Sequence, residues 1–550
     1  MNKRTHNNGS GDTVNNAPQS GGAHPRVTAL YTPTIATRRL VSLAAVISLA
    51  AGACAGAGGM MLVRHFASSN SVGAGAGQML NGNFGGGANT MSYDYTGSYT
   101  AALTADGSEV ASDGETTEAT ESDHNVVLAK NGGTMTITNA TLNKSGDSDN
   151  ADNNNFYGTN SVSLTVGEDS KTVISGSKIT ASSSGSNGVF ATDSGTALVN
   201  NTTITTSADN SRALDATYAG TILGSAVTAS TDGDHSATVA TDRGGGSVSL
   251  TDSTLTTNGS GSPLLYSTGD VQVNNVTGTA SGSQIAGMEG YNTILINDST
   301  LESTNTDKTG SDPIANGVII YQSTSGDAES STGEHATFQA KDSTLKSAIE
   351  SGSMFYFTNT TADVVLSNTT LDFDTDNATL INASGNDSNN WGSAGSNGAT
   401  VNFTGRNQTL VGDVTADTIS AVNLYLLEGS TWKGAASITD NASASDSTTS
   451  DAPITVNVDG TSTWVVTGDT TISALNVASG GKVVDADGNS VTIVAGGKTV
   501  VSGDSDITVT VTGTYSTSVD AGSDTELATE TIDRSEFDNQ FDTSTSWSMV

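Results

Sequence analysis

Asp242 and Arg243 stand side by side at the head of a glycine turn, Gly244-Gly245-Gly246, with His235 shortly before them. An acid, a guanidinium and an imidazole on one stretch of chain are the groups that general acid–base work would use. No other stretch gathers them so closely. An aspartate next to an arginine in a glycine turn also serves as a plain structural corner, and that reading carries more weight. Glycoside cleavage by paired carboxylates needs two acids at a fixed gap, but among 57 Asp and Glu residues a pair singles out nothing. The chain has six histidines, His6, His24, His65, His124, His235 and His335, and none lies in a Gly-His-Gly phrase. The expectation is therefore no catalytic residue. For binding, Tyr218, Tyr266, Tyr291 and Tyr321 recur near the ends of successive segments, where a loose aromatic stripe would stack on sugar rings. With Asp242 and Arg243 they form the candidate ligand-binding set. Acid pairs such as Asp147/Asp149 and Asp372/Asp374 would hold Ca²⁺ only weakly at the surface. No cofactor and no dedicated metal site are expected.

These residues must be positioned by a repeat. Asn139-Ala140-Thr141-Leu142 returns as phrases ending in Ile179, Ile204, Val227, Leu255, Gly278, Leu301, Leu345 and Leu371. The steps are 37, 25, 23, 28, 23, 23, 44 and 26 residues. A period in the twenties built of strand-like pieces marks a solenoid, with insertions in the two long turns. Each repeat reads as short strands between Gly, Asp and Asn corners, for example Ala197–Val199, Thr203–Thr205 and Arg212–Ala216. No stretch of useful length has helical periodicity. The expected fold is therefore all-β, a right-handed parallel β-helix. A second register, Thr192, Thr217, Thr241 and Thr268, predicts a threonine ladder, with Gly195, Gly220 and Gly244 following it.

Composition bounds the function. The chain has 550 residues, 34% hydrophobic, and a net charge of −37. Residues 1–64 hold six Lys/Arg and one acid, while the rest holds 14 basic and 56 acidic residues. A body this acidic repels phosphate backbones, so nucleic acid is not an expected partner. The single cysteine, Cys54, rules out an internal disulfide. Leu40 to Val63 is uncharged and follows Arg38-Arg39, the pattern of an export signal or membrane anchor. Ala51-Gly52-Ala53 and Ala55-Gly56-Ala57 suit cleavage, whereas the length suits spanning; both outcomes stay open. Ala51-Gly52-Ala53-Cys54 loosely matches a lipidation box, making Cys54 a weak modification candidate.

Several phrases are distinctive, among them Phe156-Tyr157-Gly158-Thr159-Asn160, the stretch Ala208 to Tyr218, Ala240-Thr241-Asp242-Arg243-Gly244, Ser262 to Gly269, Ile320 to Ala328, and Asn390 to Gly398. Over about residues 130–480 they resemble adhesin-like secreted right-handed parallel β-helix proteins of anaerobic microbes, members of the pectate-lyase-like superfold. That resemblance implies an extracellular or surface-displayed scaffold that binds glycans or other host or cell-surface molecules, and it transfers no catalytic residue. The chain departs from looser autotransporter likenesses in lacking a C-terminal barrel pattern. The expected organisation is a basic leader (1–39), a signal or membrane anchor helix (40–63), and a flexible linker with an N-cap (64–126). A parallel β-helix (127–405), further solenoid turns (406–515) and a frayed acidic tail (516–550) follow. The leader is expected to be disordered, and an uncleaved 40–63 would bring a membrane as partner. The expected function is a non-catalytic adhesin-like scaffold. The alternatives are a β-helix polysaccharide lyase or glycoside hydrolase, and a purely structural envelope stalk.

Overall fold

The computed structural model describes residues 92–323, 334–388 and 391–550. The leader, the 40–63 segment, Cys54 and residues 64–91 of the expected linker lie outside the described residues. Among those described, no helix is long and apolar enough to cross a membrane.

The chain winds as a parallel β-solenoid with three strands per turn. One turn runs Val189–Thr192, Thr196–Asn200 and Thr203–Thr206, and the next runs Leu214–Ala216, Thr221–Ser225 and Thr228–Thr231. Like strands stack on like, giving three long sheets of 13, 15 and 10 strands, here the first, second and third faces. Side chains alternate in and out along each strand. Inward positions form one continuous apolar core, with Val199, Ile204, Ile222, Leu255, Val273 and Ile296 among its fully buried members.

The corner between the second and third faces explains the recurring phrase. Its first residue adopts the left-handed conformation: Asn139, Asn201, Asp252, Asn275, Asp298, Asp342 and Asn368 all have φ between 46° and 54°. Asn and Asp tolerate that conformation better than other residues with a Cβ. The residue after it turns inward, and where it is serine it stitches adjacent turns. Ser253 Oγ accepts from Val227 N at 3.0 Å and donates to Thr251 O at 2.6 Å.

Register corrects one reading. Ile204 pairs with Ala229, and Ala229 with Leu255, so the steps there are 25 and 26 residues. Val227 is buried at the corner itself, two positions early. Ala226 stands where Asn or Asp stands in other turns (φ 54°), and alanine replaces the expected aliphatic at 229, which hid the true anchor. The weak turn at Gly278 is real and packed: a Cβ there would lie 2.7 Å from Leu264 Cδ1, so Leu264 fills the space that the missing side chain leaves. The glycine that follows the threonine ladder is Gly246 rather than Gly244. Like Gly220 it lies against the previous turn's carbonyl, where a Cβ would approach within 2.5 Å. In the ladder, Thr217 Oγ1 donates to Thr192 Oγ1 at 2.8 Å, while Thr268 bonds Thr241 partly through backbone.

Three boundaries move. A complete turn, Ala101–Asp106, Glu109–Asp113 and Thr116–Ala119, precedes residue 127, so the solenoid begins inside the expected linker. Its third strand offers only Thr117 and Ala119 to the core, too little to stand out as a strand. At the other end the phrase Ser430-Thr431-Trp432 returns 32 residues on as Ser462-Thr463-Trp464, and the two tryptophans stack at 4.8 Å. Gly480-Gly481-Lys482 recurs as Gly496-Gly497-Lys498, but the second copy does not add a further parallel turn. Lys498–Val501 folds back antiparallel on Thr492–Ala495, because Gly496 and Gly497 both take positive φ and form a tight hairpin. A mixed four-stranded sheet closes that end.

The third boundary concerns the tail, which is not frayed. From the 3₁₀ turn Ser523–Thr525 it runs back along the outside of the second face to the helix Ser535–Phe541. Phe537 is fully buried on Val173, Leu198 and Leu223. Arg534 is 1% exposed.

Substituting Gly278→Leu should overpack the core against Leu264 and cost about 1–3 kcal/mol. Thr277→Ser, on the outward side of the same strand, should change stability by less than about 0.5 kcal/mol. Denaturant midpoints of the two variants check this.

Candidate functional site

What the solenoid can offer a ligand depends on what already covers each face. The outward column of the first face runs Leu128, Leu164, Phe190, Asp215, Ala240, Tyr266, Gly287, Ile319 and Tyr356. Several of these are apolar and need a roof. A short helix, Ala151–Tyr157, supplies part of it. Asn150 caps its N-terminus, and Gly158 ends it in the left-handed conformation, where a Cβ would strike Phe190. Leu128, Leu164, Val166 and Phe190 pack beneath Tyr93 and Tyr99. Further along, Trp391 closes over Ile319 and Tyr356.

Five tyrosines hold the first roof. Tyr157 and Tyr218 stack with centroids 5.5 Å apart, and Tyr93 meets each of them edge-on. Tyr95 stacks on Tyr157 at 5.0 Å. The Tyr93 and Tyr99 hydroxyls lie 2.7 Å apart, and burial raises the Tyr93 hydroxyl to about 12. Below them sits an ionic knot. Arg212 reaches Asp242 Oδ2 at 3.1 Å, Asp215 Oδ2 at 3.5 Å and Asn155 Oδ1 at 3.2 Å. Asp215 is fully buried, and desolvation raises its pKa against the opposing pull of Arg212, with Asp242 adding to the rise. The Arg243 guanidinium lies 3.6 Å over the Phe156 ring, a cation–π contact.

The candidate set therefore meets only in part. Asp242, Arg243 and Tyr218 do come together, at the corner after the first-face strand Val239–Thr241, but as the seat of the roof. His235 lies at the corner before that strand, so the strand separates it from Asp242. Tyr266 donates to Glu289 Oε2 at 3.0 Å, and Tyr321 packs on Trp391 with centroids 4.0 Å apart. Tyr291 sits at the next corner, half-buried and off that column. The expected aromatic stripe is thus replaced by packed clusters, because the rings cover apolar outward residues. Among the described residues, no group of three or more His, Cys, Asp or Glu is placed to hold a metal ion.

The second face lies under the C-terminal strap. The third face differs. Its outward first column reads Thr116, Thr141, Lys178, Thr203, Thr228, Thr254, Thr277, Thr300, Thr344 and Thr370. A second column two residues on holds Thr180, Thr205, Ser230, Thr256 and Thr279 in its central turns. All of these side chains are exposed or half-exposed. Strand geometry sets them about 4.8 Å apart along the stack and about 6.6 Å apart along the strand. The β-branched threonines have few rotamers to lose, so the hydroxyl rows are pre-organised.

Comparison with family models, with curated proteins and with solved structures yields no match.

Removing Arg212 leaves two carboxylates buried without their cation. Arg212→Ala should cost about 3–5 kcal/mol, and adding Asp215→Asn to that chain should recover part of the loss, both read from denaturant midpoints. A second titration is expected at Asp312, 8% exposed, whose Oδ2 accepts from Asn316 at 2.8 Å. Burial raises its pKa from 3.8 to about 7. The folded state then holds a proton that the unfolded chain releases. The stability this proton gives is complete below about pH 4 and lost as pH rises through about 7. Asp312→Asn should flatten the stability profile across that window.

Proposed function

We propose that this chain is a surface-displayed scaffold of the adhesin-like, right-handed β-helix kind, and that it binds through its third face without catalysis. The observation that carries this reading is the contrast between faces. The central outward residues of the first and second faces are largely covered by the chain's own roof and strap. Those of the third present ordered hydroxyls to solvent over ten strands. An extended, hydroxyl-rich polymer such as a glycan, or a matrix protein strand, matches a surface of this chemistry. Many weak, regularly spaced hydrogen bonds would act together, each contributing little alone. The acidic body favours neutral or basic ligands over anionic ones.

The enzymatic alternative would draw on Asp215 and Asp242, the best-placed acid pair. Both are buried beneath Arg212 and the roof helix, which weighs against direct attack on a polymer. The envelope-stalk alternative predicts no ligand at all.

The test is a screen of residues 66–550 against glycans and matrix proteins, run beside a chain carrying Thr203→Lys, Thr254→Lys and Thr277→Lys. Binding that the triple variant loses by about tenfold or more, with no new reducing ends or unsaturated products, is the expected result. Appearance of such products would replace the scaffold reading with the enzymatic one. Absence of any ligand would favour the stalk.

A further inference from the structure

We infer that the second face is a peptide-recognition groove, that the chain's own C-terminal segment is its tethered ligand, and that the same segment of a second copy is its ligand in trans. The outward column there reads Val173, Leu198, Leu223, Ser249, Gln272, Leu295, Gln339, Val365 and Thr404. Each part reads a different feature of the strap.

Gln339 acts as a strand edge would. Its Nε2 donates to Glu526 O at 3.1 Å and its Oε1 accepts from Ala528 N at 2.8 Å. Gln272 Oε1 accepts from Ile532 N at 2.8 Å, and Arg406 Nε donates to Thr525 O at 2.7 Å. These contacts hold backbone and would suit many sequences. Specificity comes at the N-terminal end. The Arg534 guanidinium donates to Gly224 O and Ser249 O at 2.8 Å and to Ser249 Oγ at 2.9 Å. Thr251 Oγ1 lies 3.3 Å away. Phe537, one helical turn on, fills the apolar seat made by Val173, Leu198 and Leu223. Lys171 pairs with Glu536 beside it. An arginine, then an aromatic three residues later, is a two-point code: a lysine lacks the fork, and an aliphatic lacks the ring area.

The tether is the mostly exposed stretch 517–522. A short flexible tether gives its ligand an effective concentration in the millimolar range, so the cis segment outcompetes a dilute second copy. Displacement of the strap leaves a preformed seat with the same contacts on offer, the condition for exchange of an identical element between protomers.

The test uses a fluorescent synthetic peptide of residues 523–550. Full-length chain carrying Arg534→Ala and Phe537→Ala should bind this peptide saturably, and the unaltered chain should not. A peptide with Arg534→Ala should bind about tenfold more weakly or worse. Because the double variant could destabilise the solenoid, a second arm inserts a protease site between Thr517 and Gly522. After cutting of the folded protein, the strap should remain seated and then exchange with excess labelled peptide. No peptide uptake by a double variant that retains its β circular dichroism would overturn the inference, as would a cut strap that dissociates and cannot be replaced. Neither outcome bears on the third face, so the binding reading above stands or falls separately.

Discussion

Except at the sheet ends, every strand of the three long sheets bonds the strand one turn before it and the strand one turn after it, so a residue's neighbour in space is the occupant of the same place a turn away. This in-register stacking makes a thin core sufficient. Inward side chains meet their counterparts at strand spacing and need no second layer to bury them. It also makes each outward column a single surface with one chemical character. An apolar column must be covered, whereas a hydroxyl column can face water.

The two covers follow from that rule. On the first face, Leu128, Leu164 and Phe190 would stand in solvent without the tyrosine cluster and the helix Ala151–Tyr157. Arg212 ties that helix to the sheet through Asn155, at the cost of enclosing two carboxylates with it. On the second face, Val173, Leu198 and Leu223 call for Phe537, and the polar outward residues beyond them are matched to the strap's backbone. The third face has threonine where the others have leucine or tyrosine, and it carries no such demand. Function is then best sought where the chain has spent nothing on covering itself.

Much of this was legible in the residues. The corner phrase located nearly every turn because only Asn, Asp and Gly sit easily at positive φ. The misplaced anchor at Val227 shows the limit: where Ala226 took the corner and Ala229 the core, neither residue carried a signal. The strap went unread although a clue was present. Val173-Ile174, Ala197-Leu198-Val199 and Ile222-Leu223 are continuously apolar where one exposed side predicts alternation, and such runs mean burial on both sides. The candidate tyrosines pack in clusters in place of the expected stripe because partners come from 60 or more residues away, as with Tyr157 on Tyr218 and Trp391 on Tyr321, and local spacing holds no record of that.

The stacking register is tested most directly by paired cysteines in a Cys54→Ser chain. With Thr203→Cys and Thr228→Cys, residues that the third face pairs directly, mild oxidation should close a disulfide in the folded protein, since neighbouring strands lie about 4.8 Å apart, within the span such a bond bridges. With Thr203→Cys and Ala226→Cys it should not. Ready cross-linking of the second pair in place of the first would contradict the register on which the core, the roof, the strap and the open face all depend.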